Sequence, residues 1–426
     1  MIKKWFYDLL HRYLSFYIRP DNTVWEINSP THVLIEKFPE GKPVRIHEGD
    51  NTVTDTPPDY ILLNGNLHYE NDIEVFLETV HSYTNASTRV IIVFYSSFWK
   101  PLIQLSSFLG IRNKTPELNW IAPEDVNNFL RLTDFELVRH DKKILFPLPI
   151  PFISYILNRF IAPLPLFQWF TLVNIVVAKP ITHPSKMVSV SVVVPARNEA
   201  GNVEEIIRRL PKMGLHDELI FVEGNSTDNT WQVIQEVCLK YESERTIRMV
   251  QQPGKGKADA VRKGFEIASQ DLLMILDADM TVPPEELPKF YKAYVEGKGE
   301  FINGSRLVYP MEQRAMRFFN ILGNKFFAFG FSFVLGQRFK DTLCGTKVIS
   351  RENYRKLVRY RAYFGDFDPF GDFDLIFGAS RLTLKIVEVP IHYKERTYGE
   401  TNIQRWKHGT ILLRMLLFAA RKIKFL

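Results

Sequence analysis

Two aspartates one residue apart, Asp277-Ala278-Asp279, follow directly on the apolar run Leu272–Leu276. Alternate residues just past a strand end aim two carboxylates at one point, which suits a hard divalent cation, Mg2+ or Mn2+, bridging a diphosphate. Two loop aspartates alone are equally a solvated turn; the strand ahead of them and the company they keep favour the metal. Lys255 and Lys257 stand in the glycine-bearing stretch Gly254-Lys255-Gly256-Lys257, either as phosphate contacts or as solvated loop lysines. Downstream, Phe326–Leu335 holds five phenylalanines in ten residues, flanked by Lys325 and Arg338. Too short to span and too apolar for an ordinary surface helix, it suits a helix pair in a headgroup interface, or else a core helix. Gly409–Leu426 ends in Arg421, Lys422 and Lys424 beside an apolar face at Leu412, Leu413, Leu416, Leu417 and Phe418. That is a basic amphipathic helix, suited to an anionic membrane surface or to a partner domain or subunit.

The elements that must position these groups follow from the apolar pattern. Ser189–Pro195 is a continuous β-branched run, the mark of a strand buried on both faces, and Glu218–Val222 and Leu272–Leu276 repeat it. Helical spacing at Val203, Ile206, Ile207 and Leu210 falls between them. Upstream, Val24–Ile27, Val44–Ile46, Tyr60–Leu63, Val90–Tyr95, Phe135–Arg139 and Phe170–Val177 read as strands, with helical spacing over Asp72–Thr84 and Pro123–Leu132. The proline-bearing stretch Lys179–Ser185 divides the two patterns. The expected class is α/β: two doubly wound αβα domains over residues 1–180 and 188–405, a linker at 181–187 and an amphipathic helix at 406–426.

Composition bounds the rest. The chain has 426 residues, Lys+Arg 54 against Asp+Glu 48 for a net charge of +6, 46% hydrophobic and 24% charged residues. That is ordinary globular composition and excludes a disordered, collagenous or multi-span membrane protein. Two cysteines, Cys238 and Cys344, support neither a disulfide framework nor a cysteine zinc cluster, so a reduced, cytosol-facing compartment is expected. Met1–Tyr17 mixes charges through its apolar positions and does not read as a signal peptide. The uncharged run Phe160–Ala178 contains Pro163, Pro165 and Gln168 and does not read as a spanning helix.

Seven stretches occur in an order that resembles inverting family 2 glycosyltransferases of GT-A fold, nearest the dolichyl-phosphate mannose synthase-like group and its bacterial polyprenyl-phosphate relatives. They are Val194–Glu199, Glu223–Thr230, Gly254–Ala260, Asp277–Asp279, Asn303–Arg306, Asp341–Gly345 and Gly371–Asp374. The resemblance implies that Pro195, Ala196, Asn198, Glu199, Glu223, Lys255, Lys257 and Asp277 bind a nucleotide-diphosphate sugar of UDP or GDP type. Asp277 and Asp279 would hold the metal. Arg306, Arg314 and Arg317 would face an acceptor phosphate, and Asp279, Asp372, Asp374 and Arg396 would serve the reaction. Arg396-Thr397-Tyr398-Gly399-Glu400-Thr401-Asn402 resembles the family's mobile loop. The family usually carries a second acidic residue after Glu223; Gly224 stands there, which leaves the base open. Thr281 takes a position where mannose synthases often place Gln.

Residues 1–180 resemble a class I S-adenosylmethionine-dependent methyltransferase, a Rossmann-like sheet. The loop after its first strand, Glu26-Ile27-Asn28-Ser29-Pro30-Thr31-His32, keeps the acidic residue and has lost every glycine. Side chains then occupy the cofactor's space, and the expected reading is a degenerate, non-methylating domain. Glu48 or Asp50 would be its second acidic position. The expectation for the whole chain is single-sugar transfer to a polyprenyl phosphate by a peripheral enzyme at the inner, cytoplasmic face of the membrane. A glycan or glycolipid hydroxyl as acceptor, and a bifunctional methyltransferase/glycosyltransferase, are the alternatives. No nucleic-acid partner is expected, and a homo-oligomer is open.

Overall fold

A computed structural model describes residues 2–29, 32–46, 56–109, 117–181, 187–309, 318–363, 371–396, 398 and 405–426, with the backbone alone at 318–321, 362 and 405–408. Pro30, Glu48, Asp50, Arg314 and Arg317 lie outside the described residues. The chain packs as two units, Met1–Thr182 with Arg421–Leu426, and His183–Ala420.

Unit 1 is built on β1 (Val24–Ile27), β2 (Gly41–Val44), β3 (Tyr60–Asn64), β4 (Arg89–Tyr95), β5 (Phe135–Lys143) and β6 (Val173–Pro180). Their order is β2-β1-β3-β4-β6-β5. The first four run parallel, and β6 is antiparallel to both β4 and β5. Strands β3 and β4 are apolar and buried at successive positions; on one face Ile61, Leu63, Val90 and Ile92 meet Phe76, Leu77, Val80, Val126 and Leu130 from the helices Ile73–Ser82 and Pro123–Leu132. Asp72 caps the first of these, its carboxylate accepting from the Val75 N–H at 3.1 Å. Strand β5 is different in kind. A bulge between Leu137 and Arg139 turns Arg139, Asp141 and Lys143 into the interior. There Arg139 Nε lies 2.5 Å from Asp141, the Tyr17 hydroxyl donates to the same carboxylate, and Lys424 Nζ completes the set at 3.7 Å. The strand expected from Phe170 begins at Val173 instead. Phe167–Phe170 coils into a short 3-10 turn, and the Phe170 carbonyl accepts from the Trp99 indole N–H at 2.8 Å.

Unit 2 carries β7 (Val190–Ala196), β8 (Asp217–Glu223), β9 (Thr246–Gln251), β10 (Leu272–Ile275), β11 (Phe301–Ser305), β12 (Lys347–Ser350) and β13 (Ile386–Pro390) in the order β13-β11-β12-β10-β7-β8-β9. Strand β12 is antiparallel to its neighbours β10 and β11; the other pairs run parallel. Six strands therefore finish at one edge, and β12 begins there. Val192, Val194, Leu219, Phe221, Met274, Phe290 and Ile302 fill the core. Gly264 lets the helix Lys257–Ile267 lie directly on the sheet, since a Cβ there would overlap Val193. The phenylalanine-rich segment forms one helix, Phe318–Leu335, rather than a pair. Phe331 packs into the core on Phe373 at 4.7 Å, Gly330 meets Leu416 of the helix Arg405–Ala419, and Leu322, Phe326 and Phe329 stay exposed. It is thus both a core helix and an open apolar stripe. Among the described residues, no helix is long and apolar enough to cross a membrane.

Candidate active site

Loops leaving the common strand edge of unit 2 converge on one crevice, where open α/β sheets bind ligands. The loop after β7 is locked to the loop after β8. Asn198, in the left-handed region at φ 57°, donates its N–H to Ser226 Oγ at 3.0 Å and accepts from the Thr227 N–H at 2.8 Å. Glu223 spends its carboxylate on the same loop, accepting from the Ser226 N–H at 2.5 Å and from Gln251 Nε2 at 3.1 Å. Burial pushes that carboxyl up, but these donors hold it below its ordinary range. Gly224 lies tight under the first loop: a Cβ would stand 3.0 Å from Arg197 Cβ and 3.2 Å from the Ala196 carbonyl oxygen. That crowding is the local reason for a glycine where an acidic residue was expected. Pro195 and Ala196 close β7 directly above it, and Lys255 is exposed in the loop ahead of Lys257.

The carboxylates at the end of β10 are each matched by a cation. Asp277 Oδ1 lies 2.5 Å from Lys257 Nζ, at the first residue of its helix. Asp279 accepts from Thr281 Oγ1 at 2.7 Å on one oxygen and from Arg396 Nη2 at 2.7 Å on the other. Arg396 also reaches Glu199 Oε1 at 3.1 Å, while Glu199 Oε2 accepts from Asn202 Nδ2 at 2.8 Å. Burial raises Glu199 to about 7 against the pull of Arg396, with Asp279 pushing the same way as burial. Burial also raises Asp277, but the Lys257 ammonium outweighs it and holds Asp277 low. The Asp277 and Asp279 side chains stay about a quarter and a fifth exposed (25% and 18%), so both remain open to the crevice. Gly345 lines this pair closely: a Cβ there would overlap the Asp277 carboxylate and the Lys257 ammonium.

Behind them lies a second row of paired charges. Lys347, fully buried at the start of β12, donates to Asp372 Oδ1 at 2.9 Å and to the Cys344 carbonyl. Asp374 Oδ2 is shared between Arg361 Nε at 2.8 Å and Arg262 Nη2 at 3.4 Å. Gly371, at φ 75°, caps the helix Asp372–Arg381 and presses on Ala258, so two helix N-termini meet beside the carboxylates. Arg306 grips Asp341 through Nε at 2.6 Å and Nη2 at 2.9 Å and stacks on Tyr393. Burial disfavours the Arg306 charge, yet Asp341 keeps it firmly protonated.

The structure therefore gathers Asn198, Glu199, Lys257, Asp277, Asp279 and Arg396 at the mouth, with Asp372, Asp374 and Arg306 in the row behind. Lys347 and Asp341 went unassigned in the sequence. A lysine opening an otherwise apolar strand was the available signal for the first. Tyr398, whose ring packs on Gly201, is a further contact of the loop that carries Arg396.

Residues 191–358 match the family model described as Glycosyl transferase family 2. A dolichol-phosphate mannosyltransferase of Pyrococcus furiosus is 40% identical over 121 residues, 28% of this chain and 33% of that protein. An undecaprenyl-phosphate 4-deoxy-4-formamido-L-arabinose transferase of Shewanella sediminis is 26% identical over 240 residues, 55% of this chain and 66% of that protein. The chain thus spans a third of the first relative's length and about two thirds of the second's. A solved structure of Mycobacterium tuberculosis glucosyl-3-phosphoglycerate synthase is 21% identical and covers 55% of this chain and 80% of its own, with a TM-score of 0.41. The stretch that matches the family model falls wholly within unit 2.

Proposed function

We propose that unit 2 moves a single sugar from a nucleoside diphosphate donor, of UDP or GDP type, to a polyprenyl phosphate at the inner face of the membrane. The observation that carries this reading is the meeting of Asp277, Asp279 and Glu199 with Lys257 and Arg396 at one sheet edge. Two carboxylates one residue apart, with the Thr281 hydroxyl beside them, fit Mg2+ or Mn2+, which prefer oxygen ligands. The bound cation would neutralise diphosphate charge.

The chain's own groups do the remaining work. Lys257 and Arg396, already at the carboxylates, supply donors to the phosphates as the sugar C1–O bond breaks and its electron pair leaves on the nucleoside diphosphate. Asn198 and Glu223 hold the loops that frame the nucleotide. The incoming oxygen belongs to a phosphomonoester, largely deprotonated at neutral pH with a second pKa of about 6. It attacks C1 from the opposite face without a strong base. The pairing of Asp372 with Lys347, and of Asp374 with Arg361 and Arg262, supports that acceptor over a sugar hydroxyl, because both candidate bases are already held by cations. Arg306, fixed by Asp341, would offer the rest of its guanidinium to the acceptor phosphate. The polyprenyl-phosphate relatives support the same acceptor class.

Unit 1 is read as non-catalytic. Glu26, at the end of β1, is 0% exposed and accepts from Asn64 Nδ2 at 3.1 Å instead of facing an open cleft. Asn28, at φ 46°, clamps the Ile46 backbone through both ends of its amide, at 3.0 and 2.9 Å, where a glycine loop would leave room for a cofactor.

Thermal-shift titration with UDP, GDP and S-adenosylmethionine, each with and without Mn2+, tests this reading. A Mn2+-dependent rise with one nucleotide is expected, lost in Asp277→Asn, together with transfer from the matching nucleotide sugar to a polyprenyl phosphate detected by mass spectrometry. A rise with S-adenosylmethionine alone would overturn it.

A further inference from the structure

Unit 1 presents an apolar surface that none of its described residues covers. The helix Lys100–Phe108 buries none of its residues, yet Leu102, Leu105 and Phe108 line it at helical spacing. A water-soluble helix normally rests its apolar stripe on a core. The turns at 150–170 continue the same surface, joined to it where Phe98 meets Phe170 edge-to-face at 5.3 Å. Three side chains there stand almost fully in the open: Phe152 at 81%, Leu166 at 79% and Trp169 at 73% exposure. Phe152 is also held in a strained conformation. Its φ of 60° and ψ of −49° close a three-residue turn, with the Ile153 N–H donating to the Pro151 carbonyl at 2.7 Å. A bulky residue at positive φ persists only when its surroundings impose it. Here the strain projects a phenyl ring into solvent, a poor use of strain unless something receives the ring.

The charges around this surface say what. Residues 96–109 and 144–170 contain no Asp or Glu at all. The cations within and beside them lean on aromatics: Lys142 Nζ lies 5.3 Å from the Trp169 ring centre, Lys100 6.0 Å from Trp120 and Arg159 5.8 Å from Phe160. Tryptophan and phenylalanine set among lysine and arginine, with no carboxylate among them, is the chemistry of a headgroup interface. A second copy of this chain fits less well, because a two-fold interface would set the same three cations against one another.

We propose that this face of unit 1, the helix Lys100–Phe108 with the turns carrying Phe152, Leu166 and Trp169, inserts into the surface of an anionic lipid bilayer. The apolar side chains enter the acyl boundary, while Lys100, Lys142 and Arg159 meet lipid phosphates. Unit 1, without a reaction of its own, is then the membrane-docking module. The proposal rests on unit 1 alone and holds whatever acceptor unit 2 uses.

The test uses the full chain in flotation with phosphatidylcholine vesicles, plain or carrying about 30% phosphatidylglycerol, a fraction that gives a strongly negative surface. The wild type is expected to float with the anionic vesicles, less so in high salt. The triple variant Phe152→Ser, Leu166→Ser, Trp169→Ser should lose about tenfold in partition. All three side chains are exposed, so it should keep its melting temperature. A fluorophore attached at Leu166→Cys, with Cys238 and Cys344 buried, should shift to the blue when anionic vesicles are added. Unchanged flotation of the triple variant, no flotation of the wild type, or flotation without the fluorophore shift would each overturn the proposal. So would a wild-type dimer that the triple variant turns into a monomer. None of these outcomes bears on the nucleotide titration, so the two readings fail separately.

Discussion

At the scale of single residues, Glu199 is where structure and electrostatics make the sharpest demand. Its carboxyl stands at about 7, raised from 4.5 chiefly by burial, so the fold favours its neutral form. A raised carboxyl contributes its full stability below the unfolded value of 4.5 and loses it as pH climbs through about 7. Replacing it by glutamine removes that loss. The melting temperature of Glu199→Gln relative to wild type should therefore rise by about 2–4 °C between pH 5 and pH 8, read by calorimetry. A constant difference would show that Glu199 does not titrate there. The aspartate pair was legible in the sequence because it follows an apolar strand, whose end tells where it points; Glu199 was read from the resemblance carried by Val194–Glu199. Lys257 and Arg396 were read as site residues, but their pairing with these carboxylates was not. Arg396 meets Asp279 and Glu199 from positions 117 and 197 residues away, and nothing local encodes such a pairing. The placing of Lys347 and Asp341 was hidden for the same reason.

Among elements, strand β12 organises the back of the site. It alone in its sheet runs against the others, so its first residue, not its last, arrives at the crevice. Lys347 thereby enters the interior as the counter-charge of Asp372, which opens the helix Asp372–Arg381. Removing one partner of such a pair leaves an uncompensated buried charge. Lys347→Met should cost about 3–5 kcal/mol, and adding Asp372→Asn should recover a large part of it. Urea unfolding of the two single variants and the double variant measures this. Equal losses in Lys347→Met and in the double variant would deny the coupling. Strands β3, β4, β7, β8 and β10 fell where their apolar runs placed them, being buried at successive positions. The expected strand from Phe170 and the expected helix pair around Phe326 were displaced by tertiary contacts instead: Trp99 on the Phe170 carbonyl, and Phe331 on Phe373.

For the whole molecule, each unit carries its own electrostatic liability. In unit 1 it is Glu26, raised to about 7 by burial from 4.5, with hydrogen bonds from Asn64, Ser29 and the Ile35 backbone opposing. By the same sign, its stabilising neutral form is lost as pH passes about 7. At pH 8, Glu26→Gln should raise the melting transition of unit 1 by a few degrees, roughly 1 kcal/mol, and leave the Mn2+-dependent nucleotide shift of unit 2 in place. If the substitution abolished that shift, the two units would not be energetically separate. The sequence places a linker at 181–187 from the prolines there. The assignment of Arg421–Leu426 to unit 1 could not be read in this way, since Lys143 and Lys424 are 281 residues apart where Lys143 Nζ donates to the Lys424 carbonyl at 3.3 Å. That distant partner has a consequence for biosynthesis. A ribosome extends the chain at about 5–20 residues per second, so tens of seconds separate the emergence of β5 from that of Lys424. Through that interval Asp141 has Arg139 and Tyr17 but lacks its third donor, and the first unit translated is the last to be complete. Folding assistance during synthesis would then matter most for the half of the protein that is made first.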